Sequence, residues 1–328
     1  MQKRGVDVVE IIGTDATHAD ACSMRPRRGT DAVVVAGGDG VIGLALQALA
    51  GNDIPLGIVP AGTGNDHARE YGIPKDPAGA ADVVADGWTE TVDLGQIRDH
   101  AGAATWFGTV AAAGFDSLVT DRANRMRWPR GRMRYNLAML AELSRLRLLP
   151  FRLVLDGQRE IVTDLTLAAF GNTRSYGGGM RICPDADHAD GLLDITMVHS
   201  ASRSRLVRLF PTVFKGTHVE LDEVSTARAR SVDVESPGIN AYADGEYVCA
   251  LPARISAMPP RCGCSGRLVS RRRPSPLPGS ARPLRQRRRP RGTPRGPRPM
   301  PCPTPNPARP QGRPRPRPSW PVVAFRPP

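Results

Sequence analysis

Two stretches, Ala32-Val33-Val34-Val35-Ala36-Gly37-Gly38-Asp39-Gly40 and Pro55-Leu56-Gly57-Ile58-Val59-Pro60-Ala61-Gly62-Thr63-Gly64-Asn65-Asp66, carry one pattern twice. A short, uniformly apolar run ends on a glycine turn that holds an aspartate. Uniform apolarity over so few residues marks a parallel strand covered on both faces. Behind the first turn, Ile42, Leu44, Ala45, Leu46 and Leu49 follow helical spacing. Further helices are expected from Asp66 to Tyr71 and from Ala78 to Asp86, and Val6 to Ile12 reads as one more strand. Strand, glycine turn, helix, repeated, predicts an open α/β sheet. Both glycine turns then lie at C-terminal strand ends and frame one crevice.

Glycines at a strand-to-helix turn let backbone N–H groups approach a phosphate without a Cβ in the way. The helix N-terminus adds partial positive charge. A G-G-D-G turn alone serves equally as a tight turn with an aspartate cap. The second turn, also with an aspartate, favours the phosphate reading.

After Asp93 the rhythm changes. Phe107 to Ala113, Phe151 to Leu155, Ile161 to Phe170, Leu193 to Val198, Val232 to Val234 and Ile239 to Ala243 read as strands, interrupted by helices near Asp116 to Met126 and Met133 to Leu146. The sequence thus divides into an α/β domain over residues 1–92, an all-β domain over 93–260, and a tail over 261–328. Past Pro259 the chain is proline-, arginine- and glycine-rich and lacks the apolar surface to offset ordering entropy, so the tail is expected to be disordered and dispensable for folding. Thr17 to Gly29 should link the first two strands as a helix. Pro26, Arg25, Arg27 and Arg28 fall inside it, and an interior proline costs about 3 kcal/mol.

The chain has 328 residues, 40% of them hydrophobic, with net charge +13 and pI near 10.3. Eighteen arginines and no Asp, Glu or Lys lie in residues 261–328, which leaves 27 basic against 32 acidic residues in the body. The basic character therefore belongs to the tail, and no specific nucleic-acid partner is expected. A nucleic-acid binder acting through the tail has only Trp320 and Phe325 for stacking. Cys22, Cys183, Cys249, Cys262, Cys264 and Cys302 show no metal or disulfide spacing, and His67, His188, His199 and His218 show no metal spacing either. Reduced thiols and the lack of an apolar run of roughly 20 residues suggest a cytoplasmic protein.

The two glycine turns, with Gly114-Phe115-Asp116, Tyr176-Gly177-Gly178-Gly179, Cys183-Pro184, Asp190-Gly191-Leu192-Leu193-Asp194 and Asp244-Gly245-Glu246 in that order, resemble the diacylglycerol kinase catalytic-domain family over roughly Val6 to Ala257. The resemblance implies an NAD-kinase-like Rossmannoid nucleotide domain followed by a β-sandwich. It implies magnesium-dependent transfer of phosphate from ATP to diacylglycerol at a membrane. By resemblance, Gly37, Gly38, Asp39, Gly40 and Thr63 contact ATP, Thr14 lies near it, and Asp66 belongs to an aspartate–magnesium–water network. Asp190, with the backbone carbonyls of Asp187 and Leu192, would hold magnesium, and Glu246 would be the general base. Asp190 before Gly191 also fits a plain turn residue, and Glu246 a surface strand carboxylate.

Two departures stand out. Val41 replaces the family's threonine after G-G-D-G. The family also opens on a strand ending in an N-P-x-S-G-type loop, and this chain is expected to start after it, leaving Val6 to Ile12 without a neighbour. Arg122, Arg125, Arg127, Trp128, Arg130, Arg132 and Arg134 suit an anionic lipid surface or a solvated helix face alike. The expected location is the inner face of the cell membrane, peripherally bound. A second copy of the chain stays open as a partner. Rival readings are an NAD kinase, a sphingosine or ceramide kinase, and a catalytically impaired remnant.

Overall fold

A computed structural model describes residues 7–13, 30–126, 128, 137–138, 141–142, 148–200, 203–259, 266–269 and 319–325. Thr14, the Thr17 to Gly29 linker, and Arg127, Arg130, Arg132 and Arg134 lie outside the described residues. All described residues belong to one compact unit, residues 1–271 with 318–328.

Among the described residues the first sheet runs β1 (Asp7–Gly13), β18 (Ser319–Phe325), β2 (Val33–Gly37), β3 (Leu56–Pro60), β17 (Gly266–Val269) and β4 (Thr89–Val92). Its pairings are parallel except that of β17 with β4. β2 and β3 pair from Val33↔Leu56 to Gly37↔Pro60, so the two glycine turns leave the sheet side by side. Helix α1 (Asp39–Leu49) buries Ile42, Ala45, Leu46 and Leu49, one face of a 3.6-residue period, against Val33, Val35, Leu56 and Ile58. Val34 points to the other face and packs on Val83 and Val84 of α3 (Pro77–Asp86). Cover on both faces is the reason these strands are uniformly apolar. Each fully buried Leu, Ile or Val contributes about 1.5–3 kcal/mol.

The structure corrects one expectation here and adds to another. β1 does have a neighbour: it pairs with β18 from Asp7↔Ser319 to Gly13↔Phe325, and β18 pairs in turn with β2. The tail also supplies strands. Gly266–Val269 and Ser319–Phe325 are the stretches where arginine and proline give way to Leu268 and Val269, and to Val322, Val323, Ala324 and Phe325. Leu268 is buried in the core of the first sheet, among Leu56, Val92 and Leu94.

The remaining strands are antiparallel and form two sheets of six among the described residues. One holds β7 (Val110–Gly114), β10 (Leu167–Gly171), β11 (Leu193–Val198), β12 (Val224–Ala229), β14 (Asn240–Ala243) and β15 (Glu246–Ala250). The other holds β5 (Leu94–Asp99), β6 (Ala104–Phe107), β8 (Leu149–Leu155), β9 (Arg159–Leu165), β13 (Ser231–Glu235) and β16 (Ala253–Met258). They stack as a sandwich. Leu149, Phe151, Leu153 and Leu155 alternate inward along β8 and share a core with Phe170, Leu193, Ile195 and Met197 of the facing sheet. Helix α4 (Phe115–Arg125) follows β7, and helix α5 (Arg203–Lys215) follows β11.

Two runs read as single strands are each broken between the sheets. Phe107 to Ala113 splits at Gly108-Thr109 into β6 and β7, because the Asp244 carboxylate accepts both N–H groups at 2.8 Å and takes them out of any ladder. Ile161 to Phe170 splits at Thr166 into β9 and β10, where the Thr166 N–H turns to the Val198 carbonyl at 2.7 Å. Apolar residues continue through both corners, so hydrophobicity alone hides them.

The burial of Leu268 gives a test. Leu268→Ala is expected to cost about 2–5 kcal/mol in urea denaturation. Truncation after Arg261, which the sequence alone marks as harmless, is expected to cost at least as much. An unchanged midpoint in both forms would return this segment to a dispensable tail.

Candidate active site

The two glycine turns are locked together. Ala61 N–H donates to the Gly37 carbonyl at 2.9 Å. A Cβ on Gly62 would lie 2.4 Å from the Gly38 Cα, so close an approach that only glycine is accommodated. Asn65, at φ 53, closes the second turn: its Oδ1 accepts from Gly62 N–H and its Nδ2 donates to the Gly62 carbonyl, both at 2.9 Å. Thr63 of the same turn is exposed. Gly38, Asp39 and Gly40 begin α1, so the helix N-terminus points its free N–H groups at the same place.

Below the turns lies a buried polar contact that spans the two domains. His67 of α2 (Asp66–Glu70) is fully buried. Its Nδ1 lies 3.1 Å from Asp39 Oδ1, which also accepts the His67 N–H at 3.2 Å. Its Nε2 lies 3.6 Å from Asp244 Oδ2, in the turn before β15. Burial alone would lower the His67 pKa, but the charges of Asp244, Asp39 and Asp66 outweigh it and hold it above the usual value. Burial likewise would raise Asp39, yet the hydrogen bonds and charge from His67 hold its carboxyl below the usual range. Asp244, at φ 51, bonds the Gly108 and Thr109 N–H groups and the Thr109 hydroxyl.

Asp66 faces the loop that carries Tyr176-Gly177-Gly178-Gly179. Its Oδ2 accepts the Gly178 N–H at 2.7 Å and its Oδ1 pairs with Arg69. Burial, with the nearby Asp39 charge, raises its pKa against those two partners. Glu246 opens β15, two residues after Asp244. Its Oε1 would meet a Cβ on Gly40 at 3.1 Å, which puts this carboxylate beside the start of α1. The side chain reaches solvent, but surrounding protein desolvates the carboxyl enough to push its pKa up.

The third group is the loop from Asp187 to Leu192. Asp190 accepts the Leu192 N–H at 2.9 Å and pairs with Arg228, which also holds Asp194 at 3.0 Å. Asp187 accepts the Ala189 N–H at 3.1 Å. Asp93, fully buried at the end of β4, accepts the Gly191 N–H at 2.6 Å through one oxygen. Its other oxygen, Oδ1, has no hydrogen-bond partner among the described residues. Burial, with the charges of Asp190 and Asp187, raises the Asp93 pKa. A partnerless buried carboxylate oxygen among further oxygen donors fits a hard cation. Among the described residues no three His, Cys, Asp or Glu side chains converge as a metal cluster. A site of one carboxylate and two carbonyls, as the resemblance implies, does not need one.

The structure thus brings Gly37, Gly38, Asp39, Gly40, Thr63, Asp66 and Glu246 together at the two adjoining turns, and gathers Asp187, Asp190 and Leu192 in a loop beside Asp93. Sequence reasoning missed His67, set aside for want of a metal partner, and Asp93, noted only as a boundary. An aspartate directly after a strand was the one signal for Asp93. His67 had none, because both its partners are distant in sequence.

The buried contact gives a prediction. His67→Phe removes the partner that Asp39 and Asp244 share and is expected to cost about 3–5 kcal/mol. Because the folded pKa of His67 is raised, its stabilisation is whole below its unfolded value of about 6.5 and is lost as pH rises through the folded value. The Tm difference between parent and variant should therefore be largest in acid and shrink in base. A difference independent of pH would mean that His67 is neutral in the fold.

Residues 1–97 match the family model described as diacylglycerol kinase catalytic domain, and residues 109–262 match the YegS C-terminal NAD kinase beta sandwich-like domain. The diacylglycerol kinase of Mycobacterium tuberculosis (strain ATCC 25618 / H37Rv) is 71% identical over 261 residues, 79% of this chain and 84% of the relative. The diacylglycerol kinase of Bacillus subtilis (strain 168) is 31% identical over 74% of this chain and 78% of its own. A probable lipid kinase YegS-like protein of Stenotrophomonas maltophilia (strain K279a) is 30% identical over 71% and 78%. A crystallised putative diacylglycerol kinase from Bacillus anthracis str. Sterne superposes with a TM-score of 0.60 at 19% identity, over 81% of this chain and 97% of that one, and shares the fold. With both domains matched in order and a relative of this identity over most of its length, the chain belongs to the diacylglycerol kinase family of lipid kinases.

Proposed function

We propose that the chain transfers the γ-phosphate of ATP to the free hydroxyl of diacylglycerol at a membrane surface, giving phosphatidic acid and ADP. The observation that carries this reading is the Glu246 carboxylate beside Gly40 of the first glycine turn. The relatives named diacylglycerol kinase support the choice of acceptor. The backbone N–H groups of Gly38 to Gly40 and the α1 N-terminus would cradle the phosphates, with Thr63 adding a hydroxyl. Val41 in place of threonine removes one donor, and the backbone donors remain. Glu246 would take the proton of the lipid hydroxyl as its oxygen attacks phosphorus and the bond to ADP breaks. Its raised pKa makes it a stronger base than a free glutamate. His67 would fix the spacing between the Asp39 turn and the Asp244-Gly245-Glu246 turn.

Asp190, with the carbonyls of Asp187 and Leu192, would hold magnesium, which when bound supplies positive charge that orders this loop against Asp93. Among the described residues no helix is long and apolar enough to cross a membrane. The YegS-like relative favours a second reading, a different lipid hydroxyl as acceptor. Labelled ATP with a panel of lipid acceptors separates the two.

Glu246→Gln keeps shape and removes the proton acceptor. Its kcat is expected to fall roughly 10²- to 10⁴-fold with the KM for ATP little changed. A variant within a few-fold of the parent would return Glu246 to a surface carboxylate. The metal reading has its own test. Added magnesium should raise the parent's Tm, since a ligand of the folded state stabilises it by RT ln(1 + [L]/Kd). Asp190→Ala should abolish that rise; an equal rise in both forms puts the ion elsewhere.

A further inference from the structure

Helix α5 (Arg203–Lys215) carries no acidic residue in the sequence Arg-Ser-Arg-Leu-Val-Arg-Leu-Phe-Pro-Thr-Val-Phe-Lys. Phe210 and Phe214, one turn apart, are 39% and 47% exposed and meet edge to face at 5.6 Å. Arg205, Arg208 and Lys215 are exposed on the same helix. Arg205 is compensated by Glu223 at 2.7 Å, whereas Arg208 and Lys215 have no ion-pair partner among the described residues. Helical spacing sets Arg208 and Lys215 on the face away from the aromatic pair, and an uncovered aromatic face with a cationic face opposite is the make-up of a helix that lies in a membrane interface.

The inner side of α5 is fixed to the body. Val213 packs on the cluster that holds Ile182, Cys183 and Ala186, and its carbonyl accepts the Arg181 N–H at 3.0 Å. Gly216, at φ 76, ends the helix against Pro184. The loop from Tyr176 to Arg181 therefore joins α5 at one end, and at the other its Gly178 N–H binds Asp66 of the second glycine turn. One short loop thus separates the aromatic pair from the crevice.

We propose that α5 is the surface on which the enzyme seats itself on an anionic bilayer, with Phe210 and Phe214 at the acyl boundary and Arg208 and Lys215 on the headgroups. The inference rests on the reading above, that the acceptor is a membrane lipid. Charge selects the occupant. A second copy meeting this face about a two-fold axis would set cationic helices against each other. A nucleic acid would match the cations but leave the aromatic pair without an apolar phase to enter.

The test uses the full chain, Phe210→Ser/Phe214→Ser, and Arg208→Gln/Lys215→Gln. Flotation is measured with phosphatidylcholine vesicles with and without phosphatidylglycerol. Turnover of diacylglycerol is measured in the anionic vesicles and in nonionic detergent micelles. Each double variant is expected to lose about tenfold in binding to anionic vesicles. Vesicle turnover should fall in parallel and micelle turnover should hold. The arginine–lysine variant should also lose the preference for phosphatidylglycerol. Unchanged flotation of both variants overturns the proposal. So does equal loss of turnover in both assays, or a parent dimer by light scattering that the phenylalanine variant dissolves. So does binding of DNA or RNA, lost in both variants, where vesicles are not bound. A parent that floats through α5 yet phosphorylates no diacylglycerol even in micelles supports the docking surface and overturns the assigned acceptor.

Discussion

The imidazole of His67, buried between Asp39 and Asp244, ties the nucleotide-type domain to the sandwich. His67 is fully buried there and Asp39 and Asp244 are largely so, and each lowers the cost of desolvating the others. Asp39 belongs to the first glycine turn. Asp244 holds the corner at Gly108-Thr109 and lies two residues before Glu246. One contact therefore sets both the mutual position of the domains and the reach from phosphate turn to base. The Asp66 to Gly178 bond is a second tie, on the other side of the turn.

The sandwich gives this contact a rigid frame. Its core fills with alternating side chains from both sheets, among them Phe107, Phe151 and Phe170, all fully buried. Chains cross between the sheets at Gly108-Thr109 and at Thr166, and polar groups hold both crossings. Asp244 takes the N–H groups at the first; at the second the Val198 carbonyl accepts the Thr166 N–H and the His199 carbonyl accepts the Thr166 hydroxyl. The first crossing is also part of the site, because Asn172 bridges the Gly108 and Asp93 carbonyls at 3.0 Å. The geometry that folds the sandwich thus also ties the Asp93 backbone to the corner that Asp244 holds.

By itself the sequence determined the local features: two apolar strands, two glycine turns, the helix face Ile42, Ala45, Leu46, Leu49, and the motif order that identified the family. Each depends on neighbours a few residues away, through backbone sterics and periodicity, and so is legible in a linear string. Gly37 to Gly40, Thr63, Asp66 and Glu246 entered as site candidates through the resemblance that this motif order carries. Only the tertiary structure decided which strands break at corners, that Leu268 enters the first sheet, and that His67 and Asp93 belong to the site. Asp244 is far from both His67 and Gly108 in the chain, and Asp93 is far from Gly191. Nothing in the local pattern of a histidine or an aspartate says which distant partner will desolvate it. Burial and charge pairing are properties of the assembled fold, and they alone turn an unremarkable His67 into the joint between the two domains.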